Sequence, residues 1–297
     1  MSVVPRLVLG TVQFGVPYGR RSSLTPLPLA EVYAILDEAW AIGIRAFDTA
    51  EAYGEACTRL GAWIGERAVA SEVLIVSKAR VDDLAAFEER ARAAVKPFVG
   101  VGHLTLLSHG AVSLDAWSQF RDVALSLNAA AGQSVYTASE VSAAAAMPSV
   151  SRIQAPANVF DRRALDARTA RFVPLDLRSA YLQGVLLEHP RDAERRAPGA
   201  GVLAESVARA AAEVGEDAAS LLLAAVLAQL RAEDRVVVGI DRAAEVASLS
   251  HALDVPAEAV DRFRRRLGAG LPGEPDPATL DPRTWPRNPA TGEAASA

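Results

Sequence analysis

Four side chains of complementary chemistry follow strand-like segments in the first half of the chain. Asp48 and Tyr53 lie in FDTAEAYG, Lys78 ends VLIVSK, and His109 ends HLTLLSH. Tyrosine has an ordinary pKa of about 10, too high for an efficient acid near neutral pH. A nearby ammonium lowers that pKa, and a carboxylate keeps the ammonium charged in a partly dry site. We therefore expect Tyr53 to give a proton to a carbonyl oxygen, with His109 orienting that oxygen.

The elements that must position these groups are short strands separated by helices. Eight apolar or β-branched segments predict strands at Arg6–Gly10, Arg45–Thr49, Val73–Lys78, His103–His109, Gln133–Thr137, Arg152–Pro156, Phe172–Ser179 and Arg235–Ile240. Alanine-rich amphipathic segments predict helices, most clearly at Leu29–Ile42, Ala56–Ala68, Asp83–Val95, Leu114–Ala131 and Asp217–Leu230. Eight rounds of alternation favour a single α/β domain over residues 1–297, a (β/α)8 TIM barrel, with a doubly wound open sheet as the rival.

In a (β/α)8 barrel the active site lies at the carboxyl ends of the strands, so the four groups should meet at one rim. Two regions interrupt the alternation. Residues Leu187–Gly201 are polar with proline and glycine, and we expect a long exposed loop there. Residues 268–297 predict an irregular, proline-rich C-terminal tail that is partly disordered. Trp285 in this tail is expected to anchor on the barrel, with a flap over the active site as the alternative.

The bulk composition excludes several classes of protein. The chain has 297 residues, a net charge of −5 and one cysteine. The charge argues against nucleic acid as a partner, and a single cysteine excludes an internal disulfide or a multi-thiolate zinc site. Helical spacing with Leu60 and Ile64 predicts that Cys57 packs in the core. We find no signal-peptide pattern and no apolar run of membrane-spanning length, so we expect a cytoplasmic protein that acts on a small molecule, as a monomer or homo-oligomer.

Missing motifs narrow the chemistry. The chain has no GxGxxG fingerprint, no complete phosphate-binding P-loop and no GxSxG nucleophile elbow. His103 and His109 bracket one predicted strand, about 20 Å apart at about 3.3 Å per residue, so they cannot share a metal ion. No metal site is expected.

The order of the motifs resembles the aldo-keto reductase superfamily, in particular a bacterial branch that begins LGTVQFG-x-x-YG. The matching segments are LGTVQFGVPYG, FDTAEAYGEACTRLG, VSK, LLSH, IQAPANVFDRR, LRSAYLQGVLL and VVVGIDRAAEV, spread over roughly residues 6–290. The resemblance implies an NAD(P)H-dependent carbonyl reductase on a (β/α)8 barrel. It also implies that Asp48, Tyr53, Lys78 and His109 form the catalytic tetrad, in the roles given above.

The same resemblance implies a set of nucleotide-binding residues. They are Gly10, Thr11, Ser134, Gln154, Arg178, Ser179, Leu182, Gln183, Gly184, Gly239, Ile240 and Arg242. The chain departs from the family at Val135, where Asn is frequent, and at Arg178, where a tyrosine often stacks on the nicotinamide. Arg242 favours NADPH because it could pair with a 2′-phosphate, whereas Glu245 keeps NADH possible.

The sequence does not identify the substrate. Candidate substrate-contacting residues are Gln13, Tyr18, Asn158 and Trp285, and the branch resemblance raises sugar-like or polyketide-like carbonyls slightly above simple aldehydes. Two other functions stay open. One is a lyase or isomerase that uses Tyr53 and Lys78 for proton transfer without net redox chemistry, and the other is a non-catalytic role on the same fold.

Overall fold

A closed barrel of eight parallel strands forms the centre of the computed structural model, which describes residues 6–19, 26–81, 84–168, 172–269, 271 and 273–286. The strands are β1 (Leu7–Gly10), β2 (Ala46–Asp48), β3 (Leu74–Ala79), β4 (His103–His109), β5 (Ala130–Ser134), β6 (Arg152–Pro156), β7 (Leu175–Arg178) and β8 (Arg235–Gly239). Each strand pairs with its successor, and β8 pairs with β1 through Leu7 and Val236. The predicted (β/α)8 architecture is confirmed, and closure of the sheet rules out the doubly wound alternative.

Helices connect the strands along the described chain. They are α1 (Leu29–Ala41), α2 (Ala56–Arg67), α3 (Leu84–Val95), α4 (Leu114–Ser126), α5 (Ala138–Ala146), α6 (Arg163–Asp166), α7 (Pro190–Arg196), α8 (Ala200–Val214), α9 (Ala218–Leu227), α10 (Val246–Asp254) and α11 (Ala257–Gly268). Four of the five predicted helices agree with α1, α2, α3 and α9 to within about three residues at each end. No helix in the described part of the chain has both the length and the apolar character of a membrane span.

The predictions were wrong around the fifth strand. The helix expected over Leu114–Ala131 ends at Ser126, since Asn128 adopts a left-handed φ of 55° and turns the chain. The strand is Ala130–Ser134 rather than Gln133–Thr137, and Thr137 instead caps α5 in a capping box. Its small residues read as helical, but Gly132 is required because a Cβ there would lie 2.4 Å from the carbonyl oxygen of Arg152 on β6.

The long exposed loop expected over Leu187–Gly201 was also wrong. The segment holds α7 and the first residues of α8. His189 caps α7 by accepting a hydrogen bond from the backbone N–H of Arg191, and Pro190 occupies the first turn, where its missing N–H costs nothing. Ala193 and Ala197 are buried against the neighbouring helices, so this polar segment carries a narrow apolar face.

The second hydrophobic core explains the C-terminal segment. It lies among α7, α8, α9 and α11 and includes Leu280 and Trp285. Trp285 is 4% exposed, and its indole Nε1 donates to the carbonyl of Thr279 at 3.0 Å. Trp285 therefore anchors the C-terminal segment to the rest of the protein, as expected. The described part of the predicted tail is irregular apart from a 3-10 turn at Pro282–Thr284, and the expected disorder falls on residues outside the described ranges.

The barrel interior changes character along its axis. Val8, Ala46 and Val237 form an apolar interior cluster, with Leu74 packed against it. Side chains two residues apart on a strand share a face. Asp48 therefore follows Ala46 into the barrel, and Lys78 follows Leu74 and Val76. The alternation thus places a carboxylate and an ammonium above an apolar layer, at the carboxyl ends of the strands.

Candidate active site

The predicted tetrad assembles at the carboxyl-end rim of the barrel. Asp48 is the last residue of β2, Lys78 is next to last in β3, and His109 ends β4. The ammonium of Lys78 lies 5.0 Å from the centre of the Tyr53 ring, and the Tyr53 and His109 rings meet edge-on with centroids 6.2 Å apart. The four groups therefore form one cluster, as their positions at strand ends predicted.

A buried ion pair forms the base of this cluster. Lys78 Nζ lies 2.5 Å from Asp48 Oδ1 and donates to the carbonyl of Thr49 at 3.0 Å. Asp48 Oδ2 accepts a hydrogen bond of 2.7 Å from Gln154 Nε2, so both carboxylate oxygens have partners. Lys78 is 1% exposed and Asp48 is 4% exposed. Burial lowers the pKa of Lys78, while the charge and hydrogen bond of Asp48 oppose that shift and hold the ammonium form.

Tyr53 differs from the sequence-based expectation in its acidity. Its pKa is raised well above 10, first by burial and then by the negative charge of Asp48, with the Arg178 guanidinium opposing. The lowering expected from Lys78 is not found here, since Asp48 neutralises that ammonium at 2.5 Å. The phenol is therefore fully protonated at neutral pH, and Arg178 provides the stabilisation of the phenolate that Lys78 was expected to give.

His109 is held as a neutral imidazole. Burial lowers its pKa to about 3, and the positive charges of Lys78, Arg178 and Arg80 act in the same direction. Its Nδ1 is buried and makes no hydrogen bond to any described residue. A neutral ring with an unused polar atom beside Tyr53 can bind a carbonyl oxygen without bringing a charge.

A cavity of about 280 Å³ extends from the tetrad across the barrel rim. At one end it is lined by Asp48, Tyr53 and Gln154. It continues past the loop after β7 and ends at the loop after β8 and the first turns of α10. An elongated molecule can therefore lie with one end at Tyr53 and the other at α10.

The loop after β7 is held in an unusual backbone conformation. Ser179, Leu182 and Gln183 have left-handed φ angles of 68°, 48° and 55°, and Gly184 follows with 86°. Left-handed backbone costs roughly 1–3 kcal/mol for each residue other than glycine, and such strain concentrates at ligand-binding sites. Asn158 secures this loop, since its Nδ2 donates to the carbonyl of Ser179 at 3.4 Å.

Most of the residues implied for nucleotide binding line the cavity. They are Gly10, Thr11, Gln154, Arg178, Ser179, Gln183, Gly184, Gly239 and Ile240. Ser134 lies one step away, with its Oγ 3.4 Å from Gln154 Oε1. Leu182 instead packs in the second core, and the Arg242 side chain is exposed and outside the lining. The backbone contact implied for Leu182 and the phosphate contact implied for Arg242 stay predictions.

The four candidate substrate residues divide evenly. Gln13 and Tyr18 line the cavity, whereas Asn158 and Trp285 do not. The Asn158 side chain is used by the protein, because its Oδ1 accepts from the backbone N–H groups of Phe160 and Asp161. Trp285 is used by the second core. The structure thus gives both side chains a structural role, and their contact with substrate stays a prediction.

Sequence reasoning missed Tyr136 and Asp241. The Tyr136 ring lies against two guanidinium groups, 4.0 Å from that of Arg178 and 3.7 Å from that of Arg283. Arg178 also donates to the carbonyl of Val135 at 3.3 Å, which fixes its guanidinium at the rim. A tyrosine just after the fifth strand was the available signal, but the misplaced strand concealed it. Asp241 is the second residue after β8 and lines the far end of the cavity.

The cavity wall suits a dinucleotide. Gln13 Oε1 is buried and has no hydrogen-bond partner among the described residues, which leaves an acceptor for a ligand donor. A Cβ at Gly239 would lie 2.4 Å from Gln13 Nε2, so a larger residue there would displace that amide from its present position. The strained loop after β7 supplies closely spaced backbone groups at the middle of the cavity. In the described part of the chain, no three His, Cys, Asp or Glu side chains are grouped to hold a metal ion.

Comparison with protein families supports the resemblance found in the sequence. The Aldo/keto reductase family model matches residues 6–96, which include Asp48, Tyr53 and Lys78. The resemblance to the aldo-keto reductase superfamily is thereby confirmed. This similarity supports oxidoreductase activity on carbonyl compounds as the class of reaction. No curated protein matches the chain.

Solved aldo-keto reductase structures share the fold. The glycerol dehydrogenase from Gluconobacter oxydans aligns with a TM-score of 0.69 at 15% identity, over 92% of this chain and 94% of its own. An aldo-keto reductase from Bacillus halodurans, in its holo form, gives 0.67 at 14% identity, over 88% and 91%. A putative aldo-keto reductase from Pseudomonas aeruginosa gives 0.57 at 20% identity, over 88% and 90%. At these identities the alignments establish the barrel and leave the site to be argued from this chain's own residues.

Proposed function

We propose that this protein is an NAD(P)H-dependent reductase that converts an aldehyde or ketone to an alcohol, or catalyses the reverse reaction. The observation that carries the proposal is the position of Tyr53. Its protonated phenol opens on the same cavity as Asp48 and Gln154, beside a buried ammonium and a neutral imidazole. A proton donor fixed in this way is what carbonyl reduction requires from the protein.

The nucleotide would be held along the cavity wall. Gln154 and Arg178 would face its nicotinamide end, the backbone of Ser179, Gln183 and Gly184 would face its pyrophosphate, and Gly239 and Ile240 would face its adenosine half. When bound, the reduced nicotinamide supplies the hydride, which no side chain can provide. The protein's task is then to bind the carbonyl group, orient it and protonate its oxygen.

Protonation is assigned to Tyr53. His109 donates a hydrogen bond to the carbonyl oxygen and orients it, and its neutral state avoids repelling the nearby Lys78 ammonium. As the oxygen gains charge, the Tyr53 O–H bond breaks and the proton moves to the oxygen, which is a stronger base than phenolate. The phenolate that remains is stabilised by the positive charge of Arg178.

The proposal is tested first by binding and turnover. Titration with NADH and with NADPH is expected to quench tryptophan fluorescence, and a panel of aldehydes, ketones and sugar-like carbonyls is expected to consume the bound nucleotide. Absence of binding of either nucleotide at millimolar concentration would contradict the proposal. Turnover of a β-hydroxy carbonyl by protein stripped of nucleotide would instead support the lyase or isomerase alternative.

Removal of the phenolic hydroxyl gives the sharper test. Tyr53→Phe should lower kcat by about 10²- to 10⁴-fold, the usual contribution of a positioned acid, while nucleotide affinity changes little. The matched control is Tyr33→Phe, which removes a hydroxyl bonded to Glu66 at 2.8 Å on the outer face of α1. Its kcat should equal that of the wild type. Equal activity of the two variants would remove Tyr53 from the mechanism.

A further inference from the structure

The end of the cavity farthest from Tyr53 is acidic. It is lined by Asp241 and Glu245, together with Ser248 and Leu249 from α10. Among the described lining residues the one cation is Arg178, which lies at the tetrad end. The guanidinium of Arg242, which the sequence offered as a phosphate partner, is exposed outside the lining.

Carboxylates also occupy backbone donors of this loop. Glu245 Oε2 accepts from the backbone N–H of Asp241 at 3.0 Å, and Glu31 Oε1 accepts from the N–H of Ala243 at 3.1 Å. Backbone N–H groups at a helix start are the donors that a phosphate group would otherwise use. In the segment between β8 and α10, these two N–H groups are satisfied by the protein's own carboxylates.

The negative charge of Glu245 acts on a residue that lines the cavity. Burial raises the pKa of Tyr181, which lines the cavity beside the loop after β7, and the charges of Asp217 and Glu245 raise it further. A ligand phosphate in the same region would meet the same potential. A ribose hydroxyl, in contrast, is a hydrogen-bond donor that a carboxylate accepts well.

The orientation of a bound dinucleotide follows from the cavity. The nicotinamide must lie near the proton donor Tyr53, which places the adenosine ribose toward Asp241 and Glu245. Acidic side chains at this ribose bind the 2′-hydroxyl of NADH, and cations accommodate the 2′-phosphate of NADPH.

We infer that the protein uses NADH and discriminates against NADPH through Glu245 and Asp241. The inference rests on the proposed function and reverses the preference for NADPH drawn from Arg242 in the sequence. Glu245 has two roles in it, since it shapes the loop through the Asp241 N–H and repels a 2′-phosphate.

The test is a comparison of dissociation constants that does not depend on turnover. Wild-type protein is titrated with NADH, NADPH, ADP-ribose and 2′-phospho-ADP-ribose by fluorescence and calorimetry. We expect the non-phosphorylated member of each pair to bind roughly tenfold or more tightly, because a dianionic phosphate close to two carboxylates is strongly repelled. Glu245→Gln should reduce that ratio several-fold, chiefly by tightening NADPH.

The controls separate charge from folding. Glu205→Gln neutralises an exposed carboxylate on α8, outside the cavity, and should keep the wild-type ratio. If Glu245→Gln fails to fold, Asp241→Asn removes the second carboxylate and should shift the ratio in the same direction. Tighter binding of NADPH by the wild type, or an unchanged ratio in the carboxylate variants, overturns the inference and leaves the proposed function intact. Failure of both nucleotides to bind overturns the proposed function with it.

Discussion

Among the described residues, two networks built on a buried carboxylate lie near opposite ends of the barrel. Near the amino ends of β6 and β8, Arg235 binds Asp176 with two hydrogen bonds of 2.7 Å, and Arg152 adds a third of 2.9 Å. At the carboxyl ends, Lys78 binds Asp48 through one contact of 2.5 Å. Both networks satisfy buried charges, but only the second lies beside a proton donor and a cavity.

The difference between the networks shows how position converts the same chemistry into different roles. Two planar guanidinium groups hydrogen-bond Asp176 with fixed geometry, which is suited to holding neighbouring strands of the barrel together. Lys78 is a point charge on a flexible stem. Its charge lowers the pKa of His109, and its ammonium lies 5.0 Å from the centre of the Tyr53 ring. We call the Lys78–Asp48 pair at the carboxyl ends the upper network, and the pairs of Asp176 with two arginines near the amino ends the lower network. We expect the upper network to contribute to stability and turnover, and the lower network to contribute to stability alone.

Lys78→Met should have the largest effect. It leaves the buried Asp48 carboxylate with Gln154 as its remaining side-chain donor, and loss of one partner of a buried pair costs about 3–5 kcal/mol. Urea unfolding measures the stability. The value of kcat per folded molecule should fall as well, because an Asp48 carboxylate without its ammonium partner disfavours the Tyr53 phenolate more strongly. The control Arg67→Met breaks an exposed, solvent-screened pair with Asp37 and should lower the free energy of unfolding far less than Lys78→Met does. Equal losses would contradict the burial argument.

Arg235→Met tests the lower network. The change removes two of the three guanidinium bonds to Asp176 and should cost about 3 kcal/mol, because Arg152 still neutralises part of the carboxylate charge. Nucleotide affinity and kcat per folded molecule should match the wild type. A loss of kcat comparable to that of Lys78→Met would show that the two networks are not functionally distinct.

His109 gives an effect on stability that is small just below pH 6.5 and grows as the pH falls. Its pKa is about 3 when folded and about 6.5 when unfolded, so between these values the unfolded state binds more protons. Stability should therefore fall as pH is lowered from 6.5 toward 3, with a contribution from His109 of about 1.4 kcal/mol per pH unit. His109→Gln should show a shallower slope in urea unfolding measured across this range. An unchanged slope would mean that His109 is not held neutral.

Much of the site could be predicted because it depends on strand ends. Asp48, Lys78 and His109 close or nearly close three successive strands, and parallel strands in a barrel deliver their carboxyl ends to one rim. Tyr53 follows within one short loop, so its place was fixed almost as firmly. The predicted strand boundaries were wrong where side chains are small. In β5, the residues Ala130–Ser134 show little hydrophobic pattern.

The sequence by itself determined the barrel, the four-residue cluster and the resemblance to the aldo-keto reductases, because periodicity and strand-end motifs are local signals. The tertiary structure decided what local signals do not carry. It buried Trp285 in a second core, joined Asp176 to residues 24 and 59 positions away, and placed Glu245 rather than Arg242 against the cavity. These outcomes depend on the direction of a side chain relative to distant backbone, which is set only when the barrel closes.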